Sequence, residues 1–571
     1  MTAGVLMIAT VAACVADEPA SPGNFTDAST GDASSGDASA DDAVANGDGG
    51  HLAAPRQIAP LSTSRVTKRT PTLHWVLPSG VTDATVDLCL DRACAKPIGT
   101  PAHVAGSSYA PTTALPTGVV FWRVHPSTDT TVVSATWQFT VGAGNPSVDT
   151  SWGTTLDVNG DGYADVVVGN AAMGAFVYLG SAGGITTAAA TPLSGAAGFG
   201  QALASAGDVN GDGYGDLIIG AAGSAGGGSA YLYYGTASGL AVTPGVILNA
   251  AGASSFGGSV ASAGDVNGDG YADLVIGTHG NGAAYIYLGS ASGIATLADG
   301  GTSPVVTLTD PNDAGGADFG NSVASAGDIN GDGYADLVIG SDATASYVGS
   351  AYVYLGSAAG ISTVPSSTLL GPDTTASAFG NRVAGAGDVD GDGHADFLVS
   401  APEYASYTGH VFVYRGLADG GTSPDSTLTG PTAGSSFGQF GAASAGDVNG
   451  DGFSDLVVGA PAVRDASNPS IGQAYVYLGS AFTRVITPAT TLTGFDGANG
   501  LFGFSVSSAG DLQNDGYSSI VISAAGASTN KGNVYVYSGG PIGIDGGAPP
   551  ATLVGGGASS QFGVDVAGAT N

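Results

Sequence analysis

Residues 265–273 read DVNGDGYAD. Side-chain oxygens stand at the first, third, fifth and ninth positions (Asp265, Asn267, Asp269, Asp273), a backbone carbonyl is available at Tyr271, and Gly270 permits a sharp turn. A hard cation such as calcium collects about six to eight oxygens in a flexible shell, and a loop of alternating Asp and Asn supplies them readily. The same pattern starts at Asp157, Asp208, Asp265, Asp328, Asp388, Asp447 and Asp511, at intervals of 51 to 64 residues. Self-similarity at a long period marks a repeat architecture, so the loop counts the units of the fold before it says anything about function.

Each loop leads into an apolar run such as DLVIG (336–340) and then a variable loop. An alternating aromatic run such as AYVYLGS (351–357), a TLTG-like segment and a Phe-Gly pair complete the repeat. Four short strands per repeat with no helical periodicity are the pattern of a β-propeller blade. The Phe-Gly pairs begin at Phe199, Phe256, Phe319, Phe379, Phe437, Phe502 and Phe562. The first loop therefore lacks a preceding pair, and the last pair lacks a following loop. A closed ring explains both gaps, because a C-terminal strand at 561–571 would complete the blade that begins at Asp157 and remove an exposed sheet edge. The expected fold is all-β, with a seven-bladed β-propeller over 148–571.

Phe-Gly, the metal-type loop and Gly-Ala-Pro (Gly459-Ala460-Pro461, with Ser400-Ala401-Pro402 a near match) together resemble FG-GAP repeats. The stretch 148–571 is similar to the N-terminal propeller of integrin α subunits and its bacterial relatives. That resemblance implies a calcium-stabilised adhesion or binding module whose partner-facing loops lie opposite the calcium turns. No inserted von Willebrand-type domain is visible, so an integrin-like metal-dependent ligand site is not implied.

Six loops carry a full ligand set. The other five besides 265–273 are Asp157, Asn159, Asp161, Tyr163 and Asp165; Asp208, Asn210, Asp212, Tyr214 and Asp216; Asp328, Asn330, Asp332, Tyr334 and Asp336; Asp388, Asp390, Asp392, His394 and Asp396; and Asp447, Asn449, Asp451, Phe453 and Asp455. The seventh, DLQNDGYSS from Asp511, has Gln513 and Ser519 where ligands are needed, so it is expected to be weak or empty. An EF-hand would need a Glu at position twelve between helices, and the DVNGDG core of dockerins also adjoins helices, whereas here β-branched runs follow. A catalytic metal is disfavoured because no His or general base repeats with the loop. The expected role is structural: about six Ca²⁺ ions fixing turns where clustered Asp residues would otherwise repel.

The composition agrees. There are 97 Gly, 47 acidic residues against 12 basic ones, and a net charge of −35, which excludes binding of nucleic acid through phosphate neutralisation. The first fourteen residues, MTAGVLMIATVAAC, hold a signal-peptide-like apolar run. Their end, Val11-Ala12-Ala13-Cys14, resembles the lipobox of bacterial lipoproteins, although no Lys or Arg precedes the run. The resemblance implies export, lipidation at Cys14, and a place at the outer membrane or cell surface. Cys89 and Cys94 bracket a short turn that a disulfide could span in an exported protein. Residues 15–55 are Ser, Gly, Ala and Asp with one aromatic, a composition expected to remain a disordered acidic tether. Residues 56–143, with TLHWVL, ATVDLCL, GVVFWRV and ATWQFTV, are expected to form a small β-sandwich. They resemble bacterial fibronectin type III domains through Trp75, Leu115-Pro116 and Phe121-Trp122-Arg123-Val124.

No nucleophile elbow, phosphate loop or paired-His metal motif occurs. The variable loops 341–350, 400–409 and 460–474 carry Tyr347, Glu403, Tyr404, Tyr407 and Arg464, residue types that include common interface anchors. The expected function is a non-enzymatic module that recognises an extracellular protein or glycan through these loops. A propeller hydrolase and a passive envelope component are the alternatives.

Overall fold

A computed structural model describes residues 54–570, apart from 67, 142–150, 172–173, 190, 251, 280–281, 296–301, 312–317, 344–347, 372–376, 418–422, 465–469, 482–484, 498, 528–530 and 556–560. Cys14, the leader, the tether before residue 54 and Tyr347 lie outside the described residues. Leu52–Asn571 form one compact unit. No helix among the described residues is long and apolar enough to cross a membrane.

The repeat folds as its hydrophobic pattern requires. In the unit that holds DVNGDGYAD, strands Phe256–Gly264, Asp273–Thr278, Ala283–Tyr287 and Val306–Thr309 pair antiparallel in sequence order. The second strand is buried at every residue, so its sequence is a continuous apolar run, whereas the fourth alternates because it forms the outer edge. The same four-strand meander recurs among the described residues. The innermost strands touch in the order 199–207, 256–264, 322–327, 383–387, 442–446, 502–510, 562–567 and back to 199–207. The chain is an all-β propeller, as expected. Phe562–Ala567 pairs with Val166–Asn170, so the C-terminal segment supplies the inner strand of the blade that begins at the first metal-type loop.

The Phe-Gly pair does two jobs. Phe256 is fully buried and packs on Tyr285 and Tyr287 of its own third strand, at ring distances of 5.4 and 6.4 Å. Gly257, at φ +80°, lets the backbone pass close to the neighbouring blade, where a Cβ on Gly220 would overlap the Gly257 carbonyl. Gly277 stands in the same relation to Gly320. In the fifth blade Ser400 occupies this position, and its hydroxyl accepts from the Arg382 N–H at 2.9 Å.

Ahead of the propeller, a three-stranded sheet (Arg56–Ala59, Leu73–Val76, Ser108–Tyr109) faces a six-stranded one over a core that includes Trp75, Trp122, Trp137 and Phe139. Its outermost strand, Ser151–Trp152, pairs with Arg65–Val66, and Thr154–Thr155 pairs with Ala569–Thr570. The chain thus adds a strand to the preceding sheet at 151–152 before it joins the ring of the propeller at Thr154–Thr155. Cys89 and Cys94 are disulfide-bonded, with Cα atoms 5.0 Å apart.

Candidate metal centres and the channel mouth

Each metal-type loop leads into the second strand of a blade, from the blade's own first strand in every case but the Asp157 loop, which follows Thr154–Thr155, and is wound around its own carboxylates. Asp265 accepts the N–H groups of Gly268, Asp269 and Gly270 at 2.7, 3.0 and 2.7 Å. Asn267 accepts from Asp269 at 3.2 Å, and Asp269 from Tyr271 at 3.0 Å. The winding gathers carboxylate and amide oxygens at one spot. In the fifth-blade loop an oxygen from each of Asp388, Asp390 and Asp392 lies within 4.8 Å of the others. Two ligands on opposite sides of a calcium ion stand about 5 Å apart, so this cluster fits such an ion. Burial, then mutual repulsion, pushes these carboxyls up: Asp265 to about 6, and Asp208 and Asp388 to about 7, each eased by backbone N–H donors. Such groups lose their protons at higher pH than exposed carboxyls do, and a bound cation would favour the ionised form.

The ninth-position Asp does more than ligation requires. Asp273 accepts from Val266 N–H and from Gly289 N–H, both at 2.9 Å, and so ties the turn to the end of the third strand. Asp165, Asp216, Asp336, Asp396 and Asp455 repeat this clip. Ser519 is too short to bridge both groups. In that loop Asp511 still accepts from Asp515 and Gly516, while Asn514 accepts the Val119 N–H of the preceding sandwich at 2.6 Å. The position-seven side chains pack across blades: Tyr271, Tyr334, His394 and Phe453 lie over Gly211, Gly268, Gly331 and Gly391. His394 thus takes the place of an aromatic spacer.

The sandwich is docked on these loops, an arrangement absent from the sequence reading. Arg92, on the turn closed by the disulfide, donates to the Gly160 carbonyl at 3.0 Å and to the Gly213 carbonyl, and lies 4.0 Å over the Tyr214 ring. Trp137 donates to the Gly211 carbonyl at 3.1 Å, and Gln138 to Asp157 at 2.7 Å. Arg65 pairs with Asp447 at 3.3 Å, both buried, and Arg56 donates to the Asp269 carbonyl.

The opposite end of the ring is lined differently. The variable loops follow the second strands, so they lie at the other end of those strands from the metal-type turns. Tyr404 packs on His410 at 4.3 Å, Tyr407 is 50% exposed, Glu403 is half-buried and Arg464 is exposed on the next blade. Ala405, Ser406 and Tyr407 form a left-handed turn (φ 52°, 61°, 61°). Inside the ring at this end is a cavity of about 670 Å³, lined by residues that include Asn321, Asn381, Arg382, Phe440 and Asp565. Most of these sit two or three places after a Phe-Gly phenylalanine, a frame that the sequence reading could have used but did not.

Models described as "FG-GAP-like repeat" match residues 157–219, 208–276, 265–339, 328–399 and 388–458, and one described as "FG-GAP repeat" matches 440–477. Integrin alpha-4 of Xenopus laevis is 34% identical over 150 residues, which is 25% of this chain and 14% of that protein. The chain therefore spans a small part of that relative. Sqt1 from Chaetomium thermophilum superposes with TM-score 0.38 at 14% identity, over 64% of this chain and 74% of its own. The rhamnogalacturonan lyase YesW gives 0.29 at 14% identity, over 86% and 69%. Neither superposition is close enough to bear on chemistry.

Proposed function

We propose, from the premise that the chain belongs to the FG-GAP repeat family, that it is a calcium-stabilised, seven-bladed, exported binding or adhesion module with no catalytic activity. One observation carries the reading: the two ends of the ring are unequal. The sandwich covers metal-type loops at one end through Arg92, Trp137, Gln138 and Arg65. The other end keeps an open cavity of mixed polar and apolar lining. Carboxylates wound into backbone amides are suited to holding an ion and shaping a turn. A protein or glycan partner would meet the open end. A lipid anchor at Cys14 would hold the module at a cell surface.

The test is a paired glycan and protein array probed with the full chain in calcium and in chelator. Calcium-dependent capture of a defined ligand supports the reading. Turnover of a polysaccharide or phosphoester by the purified chain would replace it with the hydrolase alternative.

A further inference from the structure

The mouth of the cavity at the open end is ringed by positions that the repeat fixes. The two residues after each Phe-Gly pair lie within or just before the innermost strands, and those strands surround one axis, so these positions form a ring around the mouth. In a chain with 47 acidic residues the ring holds four primary amides, Gln201, Asn321, Asn381 and Gln439. Each amide offers both donors and acceptors, as a sugar hydroxyl does. Asn381 is oriented by a 2.8 Å bond to Asp342, and the Asn321 Oδ1 is buried with no partner within the protein.

On the adjoining arc Phe440 and Phe504 stack at 4.5 Å with their planes 18° apart, and Phe440 is 41% exposed. An aromatic face carries partial negative charge and attracts the weakly positive C–H face of a pyranose ring. Arg382 lies where it offsets the Asp565 carboxylate, while Asp318 and Asp342 leave the lining negative on balance. That balance disfavours uronates, sialates and phosphates. A recess of about 670 Å³ falls in the range of about 300–1,000 Å³ typical of small-ligand sites. The end of a thin chain fits it.

We propose that the mouth of the central channel is a binding site for the terminal residue of a neutral glycan, stacked on Phe440 and hydrogen-bonded by Asn381 and Arg382. This rests on the binding-module reading and names its ligand class.

The test uses the calcium-loaded full chain on an array of neutral and acidic oligosaccharides, beside a protein array, with Phe440→Ala and Asn381→Ala variants checked for unchanged melting. The expected result is capture of neutral glycans only, weakened about tenfold by either substitution, as loss of about 1.4 kcal/mol would give. Glycan binding that survives both substitutions, or that is lost instead with Tyr407→Ala on the outer loop, overturns the site. Preference for acidic glycans, or capture of proteins alone, also overturns it and leaves the binding-module reading standing. No capture on either array overturns both.

Discussion

Replacing Asp273 by Ala separates the metal from the clip. Its carboxylate accepts two buried backbone N–H groups, Val266 and Gly289, each at 2.9 Å, and the residue is fully buried. Each N–H left without a partner costs about 1–3 kcal/mol, so about 2–6 kcal/mol is at stake before any ion is considered. Burying the carboxyl also carries a cost, seen in a pKa pushed well above the ordinary range by desolvation and then by Asp265. Deleting the side chain removes that cost, which places the net loss in the lower part of the range, about 2–4 kcal/mol. Asp269→Ala is the contrast, because Asp269 accepts only from Tyr271 within the loop backbone and from Asn267. Urea unfolding followed by far-ultraviolet circular dichroism should show Asp273→Ala destabilised even in chelator. Asp269→Ala should match the parent in chelator and lose only the calcium increment. If Asp273→Ala is neutral in chelator, the clip is not a determinant of blade stability and the argument from its recurrence in six loops fails.

In chelator, stability should fall as pH rises from about 5 to 8. Carboxyls such as Asp265 (about 6), Asp208 (about 7) and Asp336 (about 8) take up protons in the folded state at pH values where the unfolded chain has lost them. Calcium should reverse the slope, since an ion binds the deprotonated loop, and melting scans across pH with and without calcium check both signs. Arg92→Ala should loosen the sandwich by about 3 kcal/mol or more, because charge-assisted bonds of about 1.5–3 kcal/mol each cross to Gly160 and Gly213. All four tryptophans precede Asp157, and Trp137 touches the Asp208 loop, so tryptophan emission reports this undocking while far-ultraviolet dichroism stays constant. Gly277→Ala should cost about 1–3 kcal/mol, since the added Cβ overlaps the Gly320 carbonyl in the neighbouring blade. A melting temperature equal to the parent's would show that the blades can part there without penalty.

The elements that repeat were legible because a repeat is its own alignment. DLVIG runs as a buried middle strand and AYVY as its partner wherever they occur, and each Phe-Gly phenylalanine finds an aromatic on its own third strand. The ligand pattern was readable for the same reason, since Asp, Asn and Gly at fixed offsets determine how the turn winds. Its second use was hidden. A ninth-position Asp reads as one more ligand until Gly289 is seen to return to it from beyond the third strand, 16 residues away. The aromatic at position seven likewise reads as a bare carbonyl donor until its ring is found over a glycine of the adjacent blade.

What stayed illegible depends on residues that occur once. Arg92, Trp137 and Gln138 lie in a sandwich with no internal repeat, and their partners are loop carbonyls that carry no side-chain signature. Asn514 shows how that docking and the metal pattern are connected. Where Gln513 and Ser519 have removed ligands, Asn514 accepts the Val119 amide of the sandwich, so the loop least suited to a cation holds the neighbouring domain directly. The channel mouth follows the opposite logic. Its positions are fixed by the repeat, two and three places beyond each phenylalanine, while its residues differ from blade to blade: Asn381 and Arg382 in one, Gln439 and Phe440 in the next. A structural role common to all blades would leave one residue type at these places, as it does at the Phe-Gly pair. Variation within an invariant frame is what a ring of unlike contacts to a single axial ligand requires.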